Sequence, residues 1–347
     1  MGKVLGLVGS EDLCDKRLLY SKVDPDNSLG PWKFLLERIS SCGISPVYYK
    51  NIRESTKPYG YLFMNYDGAV YRKVHKRDPS AKKFLMVFES EVVMPENWSP
   101  VTYSKFDVIL TWDEDIQLHP REKFVHFFWP HSLPYSVQTQ PFTSRKKDFV
   151  MVVSDKRKKH PLELYTERLH TIDWFIKNSP ENFDLYGWGW DYGAMVRLKK
   201  HIRNIPRYLR GEFPLPVDVS PVYRGAINSK IQALSKYKFC FCYENARDIP
   251  GYITEKILDC FAAGVIPIYW GWGGVSKYIP EACFINRRDF QSMESLVQRL
   301  THFTGEEYNA YMSHIMDFLE SDSADRFRAE YFADVVTGGL MGEGKMD

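Results

Sequence analysis

The sequence has no long apolar run: nowhere does it hold the ~20 consecutive apolar residues that a helix needs to cross a bilayer. It shows no secretory leader either. The start, MGKVLGLVGSEDLCDK, places one basic residue before a short apolar run, and acids follow at once with no small-residue cleavage site. Gly2 is followed by Lys-Val-Leu-Gly, without the Ser or Thr that a myristoylation signal carries. These features lead us to expect a soluble, cytoplasmic chain. Charge of one sign is also missing: 46 Lys+Arg against 44 Asp+Glu gives a net +2, which argues against a nucleic-acid-coating protein. The six cysteines lack the paired C-x-x-C spacing of a zinc site. Cys240 and Cys242 lie two apart in an apolar run, as reduced thiols on one face of a strand would. There is no internal repeat and no low-complexity segment. The sequon Asn97-Trp98-Ser99 is followed by Pro100 and carries little weight.

What is present is an ordinary globular composition, 44% hydrophobic and 26% charged over 347 residues. That length is enough for about two domains of ~150 residues each. Aromatic residues reach 15%, with 22 Tyr, 22 Phe and nine Trp. Most should fill cores, but Trp and Tyr also line sugar and nucleotide sites.

Apolar runs alternate with helical patterns. Strands are expected at 3–8, 44–49, 61–64, 84–88, 106–112 and 123–129, with a helix over 31–40 that opens on a proline and is followed by Gly43. The pattern restarts at Lys146. Strands follow at 149–153, 183–186, 239–243 and 266–270, and helices at 161–177, 229–236, 252–263 and from 292 to about 320. Strands separated by helices imply mainly parallel sheets. The expected fold class is therefore α/β, as two halves with a cleft between them: residues 1–140 and 141–347, the second half including the C-terminal helices. The segment 191–222 resists this reading. It interleaves Arg197, Lys199, Lys200, Arg203, Arg207 and Arg210 with Leu198, Ile202 and Ile205, so it is either a solvated basic helix or a peripheral membrane contact.

The densest chemistry lies between Tyr237 and Phe290. An apolar strand ends in Tyr243-Glu244-Asn245, a loop with Pro250 and Gly251 follows, and a helix opens around Thr254-Glu255-Lys256. In open α/β domains ligands bind beyond the carboxyl ends of the strands. A helix N-terminus there presents N–H groups and the positive end of its dipole to an anion, and Lys256 adds a full charge suited to phosphate. Thr254 can cap, and Glu255 can accept from sugar hydroxyls. The bland reading of these residues is an ordinary capped surface helix.

The strings Tyr237-Lys238-Phe239 to Tyr243-Glu244-Asn245, Gly251-Tyr-Ile-Thr-Glu-Lys-Ile-Leu-Asp259 and Ala263-Gly-Val-Ile-Pro-Ile-Tyr-Trp-Gly271 resemble the donor-binding signature of glycosyltransferase family 10, the α-1,3/1,4-fucosyltransferases. Tyr223-Arg224-Gly225 to Lys230, and Asp184-Leu185-Tyr186-Gly187, are similar to the family as well. The resemblance covers residues 145–290 well and the first 140 more weakly. It implies a glycosyltransferase of the two-Rossmann-domain (GT-B) type with GDP-fucose as donor substrate and no required cofactor or metal. Asn245, Tyr252, Glu255 and Lys256 match residues that hold the nucleotide sugar, Lys256 toward the diphosphate. Arg168 is the match for an arginine on the helix after this half's first strand, with the run Lys156-Arg157-Lys158-Lys159 as its competitor.

Transfer to a hydroxyl with inversion needs a base for the acceptor proton, and a carboxylate is the usual answer. Phe88-Glu89-Ser90-Glu91 follows a buried strand. Glu89 and Glu91 share a face by strand parity if the strand continues that far, and a partly desolvated carboxylate there would suit a base near neutrality. Glu89 matches the family's base position, and Glu91 is the alternative. Asp113-Glu114-Asp115 spells the D-x-D that holds a divalent cation in glycosyltransferases of the other major fold, against which a solvated loop is the plain alternative. Three functions remain: fucosyl transfer to an oligosaccharide or glycoconjugate acceptor, transfer of another nucleotide sugar on the same fold, and non-catalytic glycan or nucleotide binding.

Overall fold

The computed structural model describes residues 3–115, 124–137, 140–145, 147–191, 202, 204–211 and 217–342. The chain divides into two compact units. One holds Met1–Leu133, Pro250–Tyr252 and Ala324–Asp347, the other Pro134–Ile249 and Ile253–Ser323. The break after Leu133 falls close to the boundary expected at 140. The C-terminal stretch, expected in the second half, instead belongs with the first unit, which the chain rejoins from Ala324.

The first unit has a six-stranded, wholly parallel sheet in the order β2-β1-β3-β4-β5-β6. Its strands are β1 (Lys3–Val8), β2 (Ile44–Tyr48), β3 (Gly60–Met64), β4 (Lys82–Val87), β5 (Val108–Thr111) and β6 (Phe124–His126). Strands buried on both faces read as continuous apolar runs, which is why the sequence shows them clearly. Helix α1 (Gly30–Ser41) has Pro31 in its first turn and buries Leu35, Leu36 and Ile39. Helix α2 (Gly68–Arg77) was not expected. Val74 is its one fully buried residue, so its apolar signal is weak; Asp67 caps it by accepting from the Ala69 and Val70 amides. The C-terminal helix of this unit, Ala329–Met341, packs against α1 and sets Phe332 among Trp32, Phe88 and Phe127. Burying a Phe contributes roughly 1.5–3 kcal/mol, so this aromatic cluster is a strong reason for the chain to return here.

The second unit has a five-stranded parallel sheet in the order β11-β10-β9-β7-β8. These are β7 (Lys147–Val152), β8 (Phe183–Tyr186), β9 (Tyr237–Tyr243), β10 (Ile266–Trp270) and β11 (Ile285–Asn286). Helix α3 (Tyr165–Asn178) starts four residues later than expected, and its Phe175 stacks on Phe183 at 4.5 Å and meets Phe149 and Phe241. Helix α4 (Glu255–Ala262) follows β9. The helical stretch expected from 292 to 320 is two helices, α5 (Met293–Thr301) and α6 (Gly305–Leu319), because Thr304 and Glu307 form a capping box that starts a new helix. The helix of Ala329–Met341 is α7 in chain order.

Counted from its own first strand, each sheet is wound 2-1-3-4-5, the first with one more strand at the end. In such sheets the strand order reverses between the first and third strands, and the crevice that ligands use opens at their carboxyl ends. That point lies beyond Val8 and Met64 in the first unit, and beyond Val152 and Tyr243 in the second. All six cysteines are free thiols, Cys240 and Cys242 buried in β9 as expected. Among the described residues no helix is long and apolar enough to cross a membrane.

Candidate active site

The second unit builds its site at that reversal. Helix α3 carries Arg168 one turn in, 5% exposed, and turns its guanidinium onto the end of β9. Nη2 donates to the Tyr243 carbonyl at 2.7 Å and to Asn245 Oδ1 at 3.1 Å. The approach is fixed by the main chain, since the Leu164 amide donates to the Asn245 carbonyl and the Arg247 amide to the Leu162 carbonyl. Thus Arg168 and Asn245 are brought together. Of the competing run, Lys156, Lys158 and Lys159 are exposed, while Arg157 is half-buried and pairs with Asp155 at 3.4 Å.

Glu244 lies between Tyr243 and Asn245 and is fully buried. A carboxylate out of water must be paired and hydrogen-bonded. Its oxygens accept from the Thr254 amide at 2.9 Å and the Thr254 hydroxyl at 2.7 Å, and Lys256 Nζ stands 3.4 Å away. Thr254 makes no side-chain cap of its own; Glu244 instead holds the amide and hydroxyl of this N-cap residue and so anchors the start of α4 to the end of β9. Lys256 Nζ also donates to Thr254 Oγ1 at 2.9 Å and Glu255 Oε1 at 3.3 Å. Burial pulls the Lys256 pKa down, but the Glu255 and Glu244 carboxylates outweigh it and hold it above its usual range, with Arg168 opposing as a like charge. The ammonium is thus held charged, and it senses a second cation nearby. Glu244 is a functional residue that the motif's pattern alone does not single out. The signal available was a carboxylate at the end of an apolar strand.

Burial raises the Glu255 pKa, but Lys256, then Lys230, then its own backbone N–H pull it down to about 2 from 4.5. Lys230 stands 4.0 Å from Glu255 and 2.8 Å from Asp259. A carboxylate in the first helical turn also complements the dipole. Because the folded pKa lies below the unfolded one, the stabilisation is complete above about 4.5 and is lost as pH falls toward 2. Glu255→Gln is accordingly expected to flatten the fall of the denaturation midpoint across that window. An unchanged acid dependence would refute the assignment.

Tyr252 makes its ring contacts in the first unit, 4.7 Å from Trp112 and 6.4 Å from Trp129 between centroids, and is 1% exposed. Gly251 before it has φ +79°, and a Cβ there would collide with the Trp112 carbonyl, so this turn needs glycine. The aromatic surface expected around the donor is correspondingly smaller. Tyr243, Tyr252 and Trp190 are buried, Trp270 and Trp272 are half-buried, and Trp188, beyond β8, is 69% exposed.

In the first unit β4 ends at Val87, so strand parity does not reach Glu89 and Glu91. Glu89 is half-buried just beyond the strand, whereas Glu91 is exposed in a turn. A cavity of about 800 Å³ opens at this sheet's reversal, lined by Val8, Tyr48, Tyr49, Asn65, Tyr66 and Arg72 among others. The D-x-D residues form a loop in which the Asp115 amide donates to Asp113 Oδ1, and Glu114 faces His126 at 3.7 Å. No group of three metal-ligating side chains occurs among the described residues. Of the basic segment 191–222, Arg197, Lys199, Lys200 and Arg203 lie outside the described residues; in its described part Ile202, Ile205 and Leu209 are exposed.

Two parallel α/β sheets of one winding make the two-Rossmann-domain (GT-B) fold. Solved structures agree on the fold. An α1,3-fucosyltransferase with GDP superposes at TM-score 0.55 with 15% identity, over 98% of this chain and 90% of that one. Another with GDP-fucose gives 0.53 at 16% identity over the same shares. More particularly, residues 215–321 match the model of glycosyltransferase family 10 (fucosyltransferase), C-terminal region. Curated relatives include alpha-(1,3)-fucosyltransferase FucT of Helicobacter pylori, 34% identical over 91 residues, and alpha-(1,3)-fucosyltransferase B of Drosophila melanogaster, 39% over 128. The matches span 26% and 35% of this chain, and only 19% and 26% of those relatives.

Proposed function

We propose that the protein is an inverting fucosyltransferase that moves L-fucose from GDP-fucose to a hydroxyl of a glycan acceptor, α-1,3 on a GlcNAc-type sugar. The observation that carries this reading is the placing of two cations at the strand reversal of the second unit: Arg168 on the end of β9 beside Asn245, and Lys256 paired with the buried Glu244. An anion between such cations relieves their repulsion, and a nucleoside diphosphate supplies it. Asn245 and Glu255 then serve hydroxyls of the nucleotide sugar, and Tyr252 stays a donor residue by family resemblance.

In the reaction, the acceptor oxygen attacks the anomeric carbon of fucose, and the bond to the β-phosphate breaks with its electron pair leaving on GDP. Lys256 and Arg168 offset the charge that grows on the leaving diphosphate. Glu89 takes the acceptor proton as the new bond forms. The cavity beside Tyr48, Tyr49 and Tyr66 offers aromatic faces with polar neighbours, which suits the acceptor sugar. Because two protein cations meet the leaving-group charge, activity is expected to survive a chelator. The deciding experiment is a donor panel of GDP-fucose, GDP-mannose and UDP-glucose with a small acceptor library. Transfer from GDP-fucose alone is expected, and selective use of another donor would sink the reading.

A further inference from the structure

Glu89 stands just past the end of β4, where the sheet no longer holds the backbone. In a strand, neighbouring main chain would satisfy its polar groups. Here side chains do so. The amides of Phe88 and Glu89 both donate to Asn65 Oδ1, at 2.9 and 3.1 Å. The Phe88 carbonyl accepts from Trp112 Nε1 at 2.9 Å, and the Glu89 carbonyl from Trp98 Nε1 at 3.0 Å. All four main-chain polar groups of this dipeptide are thus taken by side chains from three separate segments.

Asn65 is the hub of this arrangement. It follows β3 directly, its amide donates to the Met86 carbonyl at 2.8 Å, and its φ is +64°, a conformation that asparagine tolerates better than most residues. Its Oδ1 receives a third bond, from Asn97 Nδ2 at 2.9 Å. Asn97 is itself fully buried, and its Oδ1 accepts from the Tyr66 amide at 2.7 Å. One carboxamide oxygen that collects three donors, steadied by a second buried carboxamide, makes a rigid mount at the root of a single side chain.

We infer that Asn65 is a positioning residue for the transfer: its carboxamide, held by Asn97, sets the direction in which Glu89 leaves the sheet. The inference rests on Glu89 being the base. Misplacing a reacting group by about 1 Å can cost on the order of 100-fold in rate, so losing the mount should be felt in turnover and not in donor binding.

The test is a set of variants assayed at saturating acceptor with whichever nucleotide sugar the wild-type chain consumes, so failure of GDP-fucose as donor leaves the ratios readable. Asn65→Gly removes the carboxamide while keeping the left-handed backbone accessible. Turnover is expected to fall about 10–100-fold with the donor KM unchanged. Asn65→Asp keeps an oxygen for the same three donors and should recover most of that loss. In a Glu89→Gln background Asn65→Gly should cost nothing further, because the two act as one unit. Trp98→Phe, which removes the donation to the Glu89 carbonyl and trims the ring that packs on Trp112, provides the same comparison should the glycine variant not fold. Wild-type turnover in Asn65→Gly, no recovery in Asn65→Asp, or equal losses with and without Glu89 would each overturn the inference.

Discussion

Glu89→Gln is expected to lower turnover about 10²–10⁴-fold while GDP binds as before. The amide keeps the size of the carboxylate and its place past β4, and the main-chain bonds to Asn65, Trp98 and Trp112 do not involve the side chain. What is lost is the ability to take a proton. Donor affinity should hold because the cations assigned to the diphosphate belong to the second unit. Glu91→Gln is the control. Glu91 is exposed in a turn beyond the strand, so its variant should turn over near normally. A reversed result, with Glu91→Gln inactive and Glu89→Gln active, would overthrow the choice of base. Calorimetry with GDP alongside the rate measurement separates lost chemistry from lost folding.

Lys256→Ala should be the most damaging change on the donor side. It removes the charge proposed to face the leaving diphosphate, worth about 10²–10³ in kcat for a group that stabilises developing charge. GDP affinity should fall as well, since a charge-assisted hydrogen bond contributes roughly 1.5–3 kcal/mol. Stability should drop too, because Glu244 is fully buried and loses its cation at 3.4 Å. Stripping one partner from a buried pair costs about 3–5 kcal/mol where nothing else satisfies the other. The two bonds from Thr254 keep the loss below that figure. The effects can be parted by adding Glu244→Gln, which removes the orphaned charge. The double variant should regain melting temperature while transfer stays low. Joint recovery of both would mean that Lys256 serves only to neutralise Glu244.

The strands were legible because parallel strands buried on both faces leave continuous apolar runs, as in Phe84 to Val87 and Phe239 to Cys242. Helix α2 was not, since it presents one fully buried residue to the core. The return of α7 to the first unit was hidden for a different reason. Phe332 finds Trp32, Phe88 and Phe127, which come from three distant parts of the chain, and no local pattern announces such a partner. Likewise nothing local to Tyr252 announces that its ring packs near Trp112 and Trp129, which lie far earlier in the chain.

The sequence by itself determined the two α/β halves and the grouping of the residues proposed for the donor, because Asn245, Glu255 and Lys256 follow one another, with Glu244 and Thr254, along a single strand, loop and helix. Short-range geometry carries them to one place wherever that unit forms. Only the tertiary structure decided that Arg168 closes on Asn245, that a buried Glu244 holds Lys256 charged, and that Asn65, Asn97, Trp98 and Trp112 mount Glu89. These pairings join residues far apart along the chain. What selects them is the requirement that every buried polar group find a partner, and that condition is met only when the sheets are assembled.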